Sequence, residues 1–325
     1  MAPSFVRTVF RRFLLSLFLL SGLSGTANAV IVAYGDGTQN STAPADNFGF
    51  ANVGTVGGAS GVYLGNGWML SAYHVVANGV GGFNIGSVTL AGITYAADAA
   101  TAARLANQDQ SPADLAVFRL TSIPEGLPSV SIASTAPVAG SSVSMAGHGP
   151  DRAVNQTHWN IDTSTNPDTW TETTGSGDAQ GYFWLNTFTT RWGINQVATF
   201  SGGSTTNTID DGSGTTNAFF TTFNNSALLF PNEAQAGVGD SGGGVFRKTL
   251  TGSWELSGTM LAIGTLDGQP GNTAVFGDAT YAADLSTYRS QILALTSVPE
   301  PVAGTLLLFS LPLLLRRRRA GRLQY

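Results

Sequence analysis

Along residues 30–284, apolar and polar positions alternate in short runs, and no 3.6-residue apolar period is sustained. Such alternation predicts strands with one buried face, parted by turns. Gly61–Leu64 and Trp68–Ala72 flank Gly65-Asn66-Gly67, the pattern of a tight hairpin. Leu115–Leu120, Ser142–Ala146, Gly244–Arg247 and Ser257–Ile263 read as further strands. Residues 121–140 hold Pro124, Pro128 and Pro137 and read as a linker between two β units. One helix is predicted near the end of this body, because Leu285, Tyr288, Ile292 and Leu295 fall on one helical face. Residues 150–232 are rich in Thr, Asn, Asp and Gly and read as a polar, loop-rich insert. Its dispersed Trp159, Trp170, Trp184 and Trp192 are expected to anchor loops by packing.

The two ends break this pattern. The first 29 residues run from Arg7, Arg11 and Arg12 through an apolar stretch, Phe13–Leu20, to Ala27-Asn28-Ala29. That order is a secretory signal peptide, and cleavage after Ala29 would leave Val30 as the first residue. Residues 298–325 begin with Val298-Pro299-Glu300-Pro301, continue through an apolar stretch from Val302 to Leu315, and end in Arg316, Arg317, Arg318, Arg319 and Arg322. About 20 apolar residues suit a comfortable membrane span, so this shorter run argues against permanent anchoring. Motif, apolar run and arginine cluster together resemble the PEP-CTERM sorting signal of Gram-negative bacteria. The resemblance implies handling by signal peptidase and an exosortase, transient membrane contact, and delivery to the periplasm, cell surface or extracellular matrix.

Composition narrows the function. The chain has 325 residues, enough for one large β unit or two smaller ones with a sizeable core. Cysteine is absent, which excludes disulfides, thiolate nucleophiles and Cys-ligated metal. Lys248 is the single lysine. Without the eight terminal arginines and Glu300, the 15 basic and 20 acidic residues fall to seven and nineteen, a formal charge of −12. A nucleic-acid partner is therefore not expected.

Three segments carry chemistry: Ser71-Ala72-Tyr73-His74, Asp114-Leu115-Ala116-Val117, and Gly239-Asp240-Ser241-Gly242-Gly243. A serine hydroxyl needs an adjacent base before it attacks a carbonyl. Flanking glycines let the chain turn sharply, and the amides of Gly239 and Ser241 would form an oxyanion hole. His74, expected at the end of a buried strand, is the candidate base. His148 and His158 are the other two histidines, and neither has a partner at metal-ligand spacing. Asp114 opens an apolar strand, so its carboxylate needs a donor, and a histidine N–H would serve. Residues 237–242 also match Gly-x-Gly-x-x-Gly, but a strand and turn follow where a dinucleotide site needs a helix.

The order His, Asp, Ser and the blocks around each residue resemble the chymotrypsin/trypsin-like serine proteases of bacterial type. Gly147-His148-Gly149 resembles the start of that family's second barrel, and Leu285-Ser286-Thr287-Tyr288 the start of its final helix. The resemblance implies an all-β protein of two packed six-stranded antiparallel β-barrels with a short C-terminal helix. The first barrel would span 30–135. The second would span 136–297, including the insert at about 150–232.

It further implies peptide-bond hydrolysis through an acyl-enzyme, with Ser241 as nucleophile, His74 as base and acid, and Asp114 as the orienting carboxylate. No metal or organic cofactor is implied. Gln235, Ala262, Ile263 and Gly264 would line a neutral substrate pocket, and a freed Val30 amine would pair with Asp240. Gly244 replaces the family's usual proline. The alternative is a catalytically silent surface or matrix binding protein on the same scaffold. An α/β-hydrolase esterase would need the order Ser, acid, His, the reverse of the order here.

Overall fold

A computed structural model of the chain describes residues 30–225 and 232–297. The expected leader, 1–29, and the expected sorting signal, 298–325, lie outside the described residues.

After β1 (Ile31–Val32) come β2 (Val53–Val56), β3 (Ala59–Gly65), β4 (Trp68–Ser71), a one-turn helix α1 (Tyr73–Val76), β5 (Val88–Leu90), β6 (Ile93–Tyr95), β7 (Ala97–Ala106) and β8 (Pro112–Leu120). Strands β2 to β8 form one antiparallel sheet in the order β6-β5-β2-β3-β4-β8-β7. Only Ala96 parts β6 from β7, so the two edges of the sheet are successive parts of one bent strand. The sheet thereby closes into a barrel. In the β3–β4 hairpin, Asn66 and Gly67 have φ of 51° and 83°. Positive angles at both central positions are what a type I′ turn requires.

The second half holds β9 (Ser142–Gly147), β10 (Pro150–Arg152), β11 (Thr157–Asp162), β12 (Thr169–Thr173), β13 (Ala179–Phe188), β14 (Arg191–Gln196), β15 (Asn207–Asp210) and β16 (Thr215–Thr222). It continues with β17 (Ala234–Gln235), β18 (Gly244–Lys248), β19 (Trp254–Gly264), β20 (Thr273–Val275), β21 (Ala279–Asp284) and α2 (Leu285–Thr296). Its main sheet runs β14-β9-β18-β19-β21-β16-β15. Val197, directly after β14, bridges Thr221 of β16, so six strands close and β15 stays outside as a hairpin partner. The all-β expectation, with antiparallel sheets and a short terminal helix, therefore holds. Residues 121–141 contain no named strand.

The insert departs from the loop-rich reading. Strands β10 to β13, joined by β20, form a separate five-stranded sheet. Its strands are rich in Thr and aromatic residues, which fit a pleated surface even where the segment is polar. Trp159 is fully buried, edge-on to Trp170 at 6.0 Å and Phe183 at 5.6 Å between ring centres. That is the packing role expected of it.

One core cluster spans both halves. Val53, Val62, Leu70, Leu115 and Val117 meet Ala146, Phe246, Leu256 and Leu261 in it. Helix α2 closes this core with Leu285, Tyr288 and Ile292 on the predicted face. Asp284 caps the helix by accepting the Ser286 N–H. The Tyr288 hydroxyl donates to Asn107 Oδ1 at 2.6 Å and accepts the Asn217 N–H at 2.9 Å, tying the two halves together.

Candidate active site

His74 lies on α1, just past β4, and not at the end of a strand as expected. Asp114 captures one of the free amides of that turn. Asp114 Oδ1 accepts the His74 backbone N–H at 2.8 Å, and Oδ2 contacts the ring Nδ1 at 2.6 Å. Asp114 is fully buried near the start of β8, while the His74 side chain is 32% exposed. A buried carboxylate is tolerated only when hydrogen-bonded donors surround it. Burial works against a charged His74 ring, but the hydrogen bond and charge of Asp114, with the charge of Asp211, raise its pKa above the usual 6.5. His148 goes the other way: burial pushes it down to about 4, and its Nδ1 meets Thr190 Oγ1 at 2.9 Å.

Ser241 sits on the loop between β17 and β18, and that loop packs against the first barrel. Ser60 makes the joint: its N–H donates to the Ser241 carbonyl at 2.9 Å, and its hydroxyl donates to the Gly239 carbonyl at 2.9 Å. The same hydroxyl accepts the His148 N–H at 2.8 Å. A methyl group on Gly242 (φ 87°) would overlap the Ser60 carbonyl and the Ser71 hydroxyl, so only glycine permits this approach. Ser71 is three residues before His74, so the joint brings the serine loop to the histidine's side of the cleft. Among the described residues, no hydrogen bond joins Ser241 to His74. The Ser241 hydroxyl instead donates to the Leu261 carbonyl at a long 3.4 Å. The N–H groups of Gly239 and Ser241 donate to nothing among the described residues. They are two unused donors on one tight loop.

A third acid joins the pair. Asp211, in the turn between β15 and β16, has a carboxylate oxygen within 4.8 Å of ligand atoms on both His74 and Asp114. Burial first, then the negative charge of Asp114, push Asp211 up to about 7. These three side chains are the one such cluster found among the described residues that could hold a cation. The 2.6 Å between His74 Nδ1 and Asp114 Oδ2 is a hydrogen-bond distance and leaves no room for an ion between those atoms.

Asp240 is buried beneath the loop. Its Oδ2 accepts the Gly237 N–H at 2.7 Å, and its Oδ1 has no partner among the described residues. Burial raises its pKa well above the usual 3.8. Gly147 and Gly149 lie directly against this carboxylate. Val30 is 1% exposed, packed in a core cluster with Met145, Val245 and Met260, and β1 pairs with β17 just beyond it. Gln235, opposite Ile31 in that pairing, is buried and donates from Nε2 to Asp278 Oδ2 at 3.0 Å. Ala262 and Ile263 are half-buried and Gly264 is buried, all on β19.

The sequence matches the trypsin-like peptidase domain over residues 59–252, more than half of the chain. The chain belongs to the trypsin-like peptidase family. The family's domain therefore spans His74, Asp114 and Ser241 and most of both barrels. No curated protein matches the chain in sequence. Among solved structures it is similar to the Rv3671c protease of M. tuberculosis in its inactive form. That match has 12% identity and a TM-score of 0.41, covering 77% of this chain and 91% of the other. It is also similar to neuropsin, a serine protease expressed in the limbic system of mouse brain. There the identity is 14% and the TM-score 0.43, covering 79% of this chain and 98% of the other.

Within this trypsin-like peptidase domain, His74 and Asp114 are joined directly, and the Gly239–Gly243 loop is set against their barrel. Ser60 and Asp211 escaped the sequence reading. Ser60 lies in a strand with no motif around it, and Asp210-Asp211-Gly212 looks like any polar turn. Each reaches the site only through packing between segments about a hundred residues apart or more.

Proposed function

We propose that this chain is a secreted serine endopeptidase that cleaves peptide bonds through an acyl-enzyme. Ser241 attacks the scissile carbonyl. His74 takes its proton and returns it to the leaving amine, while Asp114 fixes the ring with Nδ1 protonated and Nε2 free to act. The Gly239 and Ser241 amides receive the developing oxyanion. The observation that carries this reading is the double hold of Asp114 on His74, together with two loop amides that no other group among the described residues uses. For the attack the Ser241 hydroxyl gives up a weak 3.4 Å contact with the Leu261 carbonyl.

The same reading gives substrates a neutral pocket around Gln235, Ala262, Ile263 and Gly264. It predicts uncharged side chains on the acyl side of the cleaved bond. Signal peptidase frees Val30, whose amine reaches the unpartnered Oδ1 of buried Asp240, and an exosortase then processes the tail at the cell surface. Among the described residues, no helix is long and apolar enough to cross a membrane.

The test is hydrolysis of a mixed peptide library by the secreted protein, with Ser241→Ala as control. The expected result is cleavage after uncharged residues, abolished by the substitution. Equal cleavage by both proteins would overturn the reading. A folded protein that cleaves nothing would support the catalytically silent binding scaffold. A clear preference for Arg would remove the neutral pocket. Mass and N-terminal sequence of the secreted product check a Val30 start and loss of the tail.

A further inference from the structure

The β15–β16 hairpin of the second barrel reaches across to the start of β8 in the first. Thr216 Oγ1 accepts the Asp114 backbone N–H at 2.9 Å. Asn107 Nδ2 donates to the Thr215 carbonyl at 2.7 Å. Arg104 bridges the two sides, donating to the Ala113 carbonyl at 2.8 Å and to the Ser213 carbonyl. A methyl on Gly214 would press on Arg104 and the residues just before Asp114. The turn is thus held by side chains from β7 and its following loop and by the backbone of β8, and Asp211 lies within it.

Asp211 Oδ1 accepts the Ser213 N–H at 2.9 Å. Its Oδ2 is buried with no partner among the described residues. Two carboxylates held this close cannot both stay charged out of water, so one carries a proton. Asp114 already receives two hydrogen bonds from His74, which mark it as the charged member. The unpartnered Asp211 oxygen is where the proton belongs.

Building on the peptidase reading, we infer that Asp211 is a positioning residue for the His74–Asp114 pair, donating a hydrogen bond from its buried Oδ2 to the Asp114 carboxylate. Asp211 touches no reacting atom and acts through Asp114. It has two effects. The hydrogen bond holds the Asp114 carboxylate in the plane that grips the imidazole. The proton also keeps the cluster at one negative charge. When Asp211 loses it, a second negative charge faces His74 and favours the imidazolium, which cannot act as a base. The charged and titratable groups facing Asp211 are Asp114 on β8 and His74 on α1. Arg104 on β7 contacts the same turn, and exposed Asp210 precedes it.

The experiment is an NMR pH titration of the His74 ring in the full chain, assigned by its loss in His74→Ala. It is run beside pH profiles of kcat and kcat/KM for the parent, Asp211→Asn and Asp211→Ala. In both variants the His74 titration moves to lower pH, because neither side chain can take on the second negative charge that Asp211 gains when it loses its proton. Asp211→Asn keeps an N–H donor and retains kcat at its plateau, with the acid limb of kcat/KM displaced to lower pH. Asp211→Ala loses the donor and drops kcat about tenfold with little change in KM. An unmoved His74 titration in both variants overturns the inference, as does an equal kcat loss in Asn and Ala. If Asp211→Ala does not fold, Asp211→Asn still decides through the titration. If the parent cleaves nothing, the peptidase reading fails while the titration still decides the role of Asp211.

Discussion

Asp114 grips His74 at two points, the backbone N–H on Oδ1 at 2.8 Å and the ring Nδ1 on Oδ2 at 2.6 Å. The first bond fixes where the residue sits, and the second fixes how its ring faces. A single side chain therefore sets both position and tautomer. Asp114→Asn keeps the shape but offers the ring an amide. If that N–H turns toward Nδ1, the ring proton moves to Nε2, the nitrogen that must be free. The expected loss is about 10⁴-fold in kcat, the size that follows from reversing this tautomer in a Ser-His-Asp triad. A melting curve close to the parent's would show that the fold survives. A loss below tenfold would remove Asp114 from the mechanism.

Asp240 and Gly149 are in direct contact, and a side chain at Gly149 would overlap the carboxylate. Asp240 is fully buried and follows Gly239, so it cannot retreat without moving the loop. Gly149→Ala is expected to cost about 1–3 kcal/mol of stability, the usual penalty for overpacking. Activity should fall with it. A thermal melt and a kcat measurement check both, and an unchanged melt would show that the contact yields freely.

Strands β3, β4, β8, β9, β18 and β19 and helix α2 were legible because each is coded locally, by alternation, by Asn66-Gly67 or by one helical face. His74, Asp114 and Ser241 stood out for the same reason: each lies in a short run whose residue types suit one chemistry. The sheet within the insert was obscured by its own polarity, since Thr and Asn alternate without a strong apolar signal. The one-turn helix under His74 was also missed. One of its free amides is satisfied by Asp114, forty residues away, and no local motif announces that. Asp211 was illegible for a related reason. Its neighbours are set by how the β15–β16 hairpin meets β8, a contact between segments about a hundred residues apart.

Asp278 adds a pH dependence to stability. Its Oδ2 accepts hydrogen bonds from Gln235, Gln269 and the Val275 N–H, yet burial still pushes its pKa up to about 6. The folded value lies above the usual 3.8, so folding favours the protonated form. Its stabilising contribution is full below about 3.8 and is lost as pH rises through about 6. Asp278→Asn keeps one acceptor oxygen and removes the buried charge. Its melting temperature should match the parent's in acid and exceed it above about pH 7. A gap that does not widen with rising pH would contradict this.

Gln235 cannot be turned into a recognition site for basic side chains by one substitution. Its Nε2 lies 3.0 Å from Asp278 Oδ2, so Gln235→Asp would set two buried carboxyls against each other. Both would hold protons, and the variant should lose stability as pH rises. The expected outcome is a lowered melting temperature at neutral pH with no gain of Arg preference on a peptide library. A stable variant that prefers Arg would contradict this.

The most direct test of the account is whether Ser241 is an activated nucleophile. A fluorophosphonate probe reacts with a serine only when a base and an oxyanion site serve it. The protein secreted from the full-length chain would be treated with the probe, and the label mapped by mass spectrometry beside Ser241→Ala and His74→Ala. The account predicts label on Ser241, absent in the first variant and strongly slowed in the second. A cooperatively folded, correctly processed protein that takes no label at Ser241, or labels equally well without His74, would contradict it.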